Sequence, residues 1–355
     1  MNLSIAKDSL KNLLNPVLQK YGVQNADFIT TPFNANGQGM DAVLDSIFIS
    51  VNPDKTIEIK NPFTGETIGK GAISNGSVTG SVDIDKVNKL PQSVSSRKYF
   101  VYVKDNYGLP EYGPIMVDIV DDGNGKISVT MSATVGDTGD IFFIYGNGTK
   151  SGNSISFKAS VIMCHDTNEN GTGTAVFSGT IDPNGNITGT FTNTLSAGDT
   201  CKENNSNIYE GTFKAEDVTK APPANVAGTY DAYATPEEWT EEGPATLQIT
   251  QNGSIISVSI TAIDGDTGKP FTRSGQGIVY GNYVIFRVPI IMCHDTDPKA
   301  EAEYATFFGK FDSKTNTISG IYGDGVPAGD YCKAPDYDKT KRTTAAQGFW
   351  RAVKK

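Results

Sequence analysis

Beyond residue 95 the chain alternates apolar and polar residues almost one for one. That period predicts strands with one buried and one solvated face. Ala245, Leu247 and Ile249 alternate with Thr246, Gln248 and Thr250, and Asn252-Gly253 follows. Ile256, Val258, Ile260 and Ala262 then alternate with Ser257, Ser259 and Thr261. Asn-Gly between two such runs predicts a hairpin. Ile115, Val117 and Ile119, a glycine turn at 123–125, and Ile127, Val129, Met131 and Ala133 repeat this arrangement. Further strands are predicted over 226–234, 276–280, 283–291, 304–312, 317–322 and 347–353. Strands joined only by hairpins, about eight per unit, predict closed antiparallel barrels, because closure removes exposed edges.

The alternation belongs to a sequence repeat. Val161-Ile162-Met163-Cys164-His165-Asp166-Thr167 matches Ile290-Ile291-Met292-Cys293-His294-Asp295-Thr296. Gly113-Pro114 matches Gly243-Pro244, and Gly136-Asp137-Thr138-Gly139 matches Gly265-Asp266-Thr267-Gly268. Phe177, Gly179 and Asp182 match Phe307, Gly309 and Asp312. Ala197-Gly198-Asp199-Thr200-Cys201-Lys202 matches Ala328-Gly329-Asp330-Tyr331-Cys332-Lys333, and residues 211–215 match 348–352. A register held this long predicts a duplicated domain. The expected division is a small α+β segment over 1–92, one β-barrel repeat over 95–218 and a second over 224–355. The Pro222-Pro223 connector is stiff and could hold the copies apart. In the first segment, Leu10, Leu13, Leu14, Val17, Leu18 and Tyr21 have helical spacing, with a second helix expected over 39–46. Alternating runs at 47–51, 56–60, 67–73 and 77–84 complete it. The fold class is thus mainly β, with two eight-stranded barrels in tandem after an α+β segment.

Gly228-Thr229-Tyr230 on the first strand of the second copy, with Trp350-Arg351 on its last, resembles the calycins, the lipocalin and avidin-like barrels. Those carry Gly-x-Trp on the first strand packed against a basic residue from the last. Here tyrosine stands where tryptophan is expected. The first copy has Lys98-Tyr99-Phe100, with Lys214 on its last strand. The resemblance implies up-and-down barrels with a lumen for a small apolar ligand. The N-terminal segment resembles the tail end of a larger extracytoplasmic bacterial protein.

Composition narrows the partners. A net charge of −10 argues against nucleic acid and anionic membrane surfaces. No apolar run reaches the length of a membrane helix, so no membrane insertion is expected. The start, Met1 to Lys11, does not read as a signal peptide.

Four cysteines sit two per copy at matching places, which predicts disulfides Cys164–Cys201 and Cys293–Cys332. Each such staple would contribute about 3–4 kcal/mol. Zinc and free thiols are the alternatives. Zinc is disfavoured because adjacent Cys-His residues do not easily reach one ion. Disulfides place the chain in an oxidising compartment, periplasmic, cell-surface or secreted, and a trimmed N-terminus is then expected.

His165 and His294, the two histidines, both lie in Cys-His-Asp-Thr. With Asp166 and Asp295 they are ligand candidates. The competing reading is a hydrogen-bonded histidine beside a disulfide, with Asp and Thr shaping a turn. A Cys-His-Asp nucleophilic triad fails, because neighbours along a strand point to opposite faces. Asp166, Asn168 and Asn170, followed by Gly171, open like a calcium loop, although Phe177 stands where a bidentate glutamate belongs. In the second copy Lys299 occupies a ligand position. No phosphate loop, glycosidase carboxylate pair or serine elbow is present. The sequence therefore predicts a non-enzymatic extracytoplasmic binding or surface protein, its partner a small molecule or a protein surface. No cofactor is expected. The alternatives are a ligand-free scaffold and a weak calcium module.

Overall fold

The computed structural model describes residues 48–51, 56–61, 63–74, 77–90, 95–106, 111–134, 141–162, 172–195, 208–236, 241–263, 269–290, 303–324 and 346–355. Strands β1 (Phe48–Val51), β2 (Thr56–Lys60), β3 (Thr67–Ser74) and β4 (Ser77–Val82) form an antiparallel meander. Ile57, Ile59 and Ile68 bury its apolar face. A short helix, α1 (Ile84–Asn88), follows, and the Asp83 carboxylate caps it by accepting from the N–H groups of Asp85 and Lys86. The helices expected over 10–21 and 39–46 lie outside the described residues.

Barrel one comprises β5 (Ser95–Asp105), β6 (Tyr112–Asp121), β7 (Lys126–Thr134), β8 (Ile141–Ser151), β9 (Ser154–Ile162), β10 (Thr172–Ile181), β11 (Ile187–Leu195) and β12 (Ile208–Asp217). Each strand pairs antiparallel with the next, and β12 closes on β5 from Gly211↔Asp105 to Asp217↔Tyr99. Barrel two comprises β13 (Gly228–Pro236), β14 (Glu242–Asn252), β15 (Ile255–Ile263), β16 (Pro270–Tyr280), β17 (Tyr283–Ile290), β18 (Glu303–Asp312), β19 (Thr317–Asp324) and β20 (Ala346–Lys354). It closes through β20 on β13. The expected meander is what forms, and the Asn252-Gly253 hairpin turns with Gly253 at φ 61°.

The two barrels repeat each other in detail. Pairing shifts between Val101 and Val103 in one and between Ala232 and Ala234 in the other. Opposite each bulge lies a cis Gly-Pro bond, Gly113-Pro114 or Gly243-Pro244. A Cβ on either glycine would collide with the bulged strand, 2.7 Å from the Val101 oxygen or 2.8 Å from that of Ala232. Asp182 and Asp312 turn the following hairpins alike, each carboxylate accepting the N–H two residues on at 2.8 Å.

Inward side chains fill both lumens. Phe157 stacks on Phe177 at 4.8 Å, and their counterparts Phe286 and Phe307 stack at 4.8 Å. Phe213 stands edge-on to Phe177 at 5.5 Å, as Trp350 does to Phe307 at 5.4 Å. Paired glycines make room for these last two rings. A Cβ on Gly189 would lie 2.7 Å from Phe213, and one on Gly309 would lie 2.7 Å from Trp350.

The calycin-like pairing of an aromatic with a basic residue differs in detail from the expectation. Lys354, not Arg351, sits 5.8 Å from the Tyr230 ring and donates to the Ala227 carbonyl. Arg351 lies 4.0 Å from the Tyr233 ring and pairs with Glu241. The reason is the register: Tyr230 pairs with Lys354 and Tyr233 with Arg351. Tyr230 is fully buried, and its hydroxyl donates to the Val226 carbonyl at 2.7 Å. Burial pushes that phenol up to about 12.

The connector does not hold the barrels apart. The Val218 N–H donates to Lys98 and the Ala224 N–H to Gly281, while Gln251 binds both Ala224 and Val226. Phe100, Val218, Tyr283, Ile285, Phe308 and Ile321 form a third apolar core between the barrels. Each such burial contributes about 1.5–3 kcal/mol before entropy is charged.

Candidate functional site

Three places could carry function: the lumens, the connections bearing the repeated motifs, and the outer walls. The described part of lumen one is solid. Tyr99, Val117, Met131, Phe157, Phe177 and Phe213 surround a residual void of about 10 Å³. A single water needs at least that much space and polar partners besides. Lumen two is packed by the same pattern, with Tyr230, Leu247, Val258, Phe286 and Trp350 all buried. Among the described residues, the space where the calycin resemblance implies an apolar cavity is occupied by the protein's own side chains.

The strand ends between which the repeated polar motifs fall in sequence lie at one end of each barrel. In barrel one the connections Thr134 to Ile141, Ile162 to Thr172 and Leu195 to Ile208 all leave the end opposite the tight turns. These connections carry Gly-Asp-Thr-Gly, Cys-His-Asp-Thr and the second cysteine. Barrel two repeats the arrangement between β15 and β16, β17 and β18, and β19 and β20. The residues themselves lie outside the described ones: Cys164, His165, Asp166, Asn168, Asn170, Cys201, Cys293, His294, Asp295 and Cys332. Among the described residues no cluster of three or more His, Cys, Asp or Glu could hold a metal.

The outer wall of barrel one carries a rank of hydroxyls. Thr149, Ser156, Ser178, Thr190 and Thr212 are cross-strand partners in turn, running from β8 to β12. A second rank, Ser151, Ser154, Thr180 and Thr188, lies beside it. Ser156 and Ser178 share a hydrogen bond of 3.2 Å. The short side chains leave a shallow open groove of about 470 Å³.

The same wall of barrel two is the docking surface. Its rank reads Ile278, Ile285, Phe308, Ile321 and Phe349. Phe100 of barrel one stacks on Tyr283 at 4.1 Å and 4°. Glu216 accepts from the Tyr283 hydroxyl at 2.7 Å and from the Lys310 ammonium at 2.5 Å. Burial disfavours the Glu216 charge, but the Lys310 and Tyr283 bonds outweigh it and hold the carboxyl below the usual glutamate range. Burial, with the hydrogen bond to Glu216 second, pushes the Tyr283 phenol well up. Lys98 pairs with Asp118 and lies 5.0 Å from the Tyr280 ring.

Alternation alone did not find this surface. A signal exists, however. Ser154-Ile155-Ser156-Phe157 alternates, whereas its counterpart Tyr283-Val284-Ile285-Phe286 is apolar throughout and buried on both faces.

No family model matches the chain, and no curated protein matches it. A solved structure from Bacteroides fragilis, a "putative outer membrane protein", is 11% identical, with 74% of this chain and 97% of that chain covered, at a TM-score of 0.21. So distant a likeness bears neither on this chain's fold nor on its role.

Proposed function

We propose that this chain is a non-enzymatic binding or surface protein working outside the cytoplasm. In this reading the barrels are solid supports, and recognition falls to the connections at their motif-bearing ends. The packed lumen carries the reading: among the described residues, Tyr99, Met131, Phe157, Phe177 and Phe213 close on a void of about 10 Å³, with no room there for a lipocalin-type ligand. The exterior supports it as well. Thr188, Thr190, Gln248, Thr250 and Ser257 point outward and are exposed, the reverse of a membrane barrel with its apolar outer band. Among the described residues no helix is long and apolar enough to cross a membrane. The extracytoplasmic setting rests on the two matched cysteine pairs.

Two measurements test this. Peptide mass spectrometry without reductant should yield Cys164–Cys201 and Cys293–Cys332; free thiols would remove the oxidising setting, and a bond between the copies would end the pairing within each copy. Titration with a fluorescent fatty acid should give no saturable 1:1 complex. Tight, stoichiometric quenching of Trp350 would mean that the lumen opens and that the ligand-carrier reading is right.

A further inference from the structure

We infer that the two barrels dock head to tail through directional faces, and that polar residues at the homologous positions block the two faces left over, so that the series stops at two. Call the outer side of β5 and β6, with the end of β12, the front of barrel one. Call the outer side of β16 to β20 the back of barrel two. The front of one sits on the back of the other, so the contact is heterologous. A heterologous contact between copies is not satisfied within one pair and propagates, into a ring or an open filament, wherever both faces are present.

Both barrels descend from one unit, so each owns a front and a back. Register fixes the correspondence. Phe177 pairs with Phe157 as Phe307 pairs with Phe286, which sets Ser156 against Ile285 and Ser178 against Phe308. The unused back, on barrel one, therefore reads Thr149, Ser156, Ser178, Thr190 and Thr212 where the used back reads Ile278, Ile285, Phe308, Ile321 and Phe349.

The fronts differ in the same sense. Phe100 pairs with Met116 in barrel one, and Asp231 pairs with Thr246 in barrel two. The polar anchors are missing too. Ser154 and Thr180 stand where Tyr283 and Lys310 hold Glu216, and Val353 stands where Glu216 would be. Tyr102, which meets Tyr283 in the contact, keeps its counterpart in Tyr233, but these apolar and charged anchors are absent from the free faces. Terminal repeats of stacked arrays carry polar outer faces for this reason.

The test restores each face in the full chain. A back variant carries T149I, S156I, S178F, T190I and T212F; a front variant carries D231F and T246M. Sedimentation velocity should find the natural chain monomeric and an equimolar mixture of the two folded variants as a 1:1 complex. A chain carrying both sets should form a ladder of oligomers. The inference is overturned if the folded variants stay monomeric when mixed, if either associates alone as strongly as the mixture does, or if the natural chain already oligomerises. Should the back variant fail to fold, Ile285→Ser with Phe308→Ser in barrel two puts the same question in reverse. Exchange of the Val218 and Ala224 amides should then rise at least about tenfold while core amides of barrel two stay protected. Unchanged exchange at those amides would overturn the inference.

Discussion

Barrel one turns its β8–β12 wall to water, and barrel two turns the equivalent wall to its neighbour. Behind these walls the lumens are nearly interchangeable: the stacked phenylalanine pairs stand 4.8 Å apart in both. The contrast shows which positions a duplicated barrel can reassign. An inward side chain has neighbours on every side, and a change of one methylene is felt in a close-packed interior. An outward side chain on a solvated wall has few neighbours, so a hydroxyl can become a phenylalanine once another surface lies opposite. New roles accumulate on the outside while the inside keeps the fold.

The largest expected effect probes the shared interior. Trp350→Ala should cost about 5 kcal/mol and Phe213→Ala about 3–4 kcal/mol, as a cavity opens in each lumen. The excess for Trp350 comes from its larger ring and from the bond its indole N–H makes to the Phe308 carbonyl at 2.9 Å, which the phenylalanine lacks. Urea denaturation of the two variants measures both. A larger loss in barrel one would break the equivalence of the lumens.

Exchange across the differing wall comes next. Phe308→Ser gives barrel two the hydroxyl of barrel one and should cost about 3 kcal/mol of docking, splitting one thermal transition into two in calorimetry. The reverse exchange, Ser178→Phe, sits on an exposed wall and should move stability by no more than about 0.5 kcal/mol. Equal effects would mean that the two walls share one environment.

The smallest effect is on pH. The Glu216 carboxyl is held below the ordinary glutamate range, so its contribution is complete above that range and fades as pH falls through the lowered value. Its side chain is 44% exposed, which limits the contribution to under about 1 kcal/mol. Docking should therefore weaken in acid below the ordinary glutamate range, and Glu216→Gln should remove that dependence while leaving the barrels folded. A docking transition with the same acid profile in Glu216→Gln would assign the dependence to other carboxylates.

The sequence by itself determined the strands, their hairpins, the closure into two barrels and the equivalence of the copies. Those features are local or repetitive: a period of two marks the buried face, Asn-Gly marks the turn, and a matched register marks the duplication. The paired cysteines and the His165 and His294 motifs were also legible as candidates, and topology puts their connections at one end of each barrel. Only the tertiary structure decided that the lumens are filled, because whether inward side chains close a barrel depends on how their volumes interlock across it. It also decided that Lys354 rather than Arg351 meets Tyr230, since that follows from the register of β20 on β13. The docked wall belongs in the same class. Alternation says which residues leave the barrel, but water and a neighbouring barrel lie in the same direction, and only the placement of the second body chooses between them.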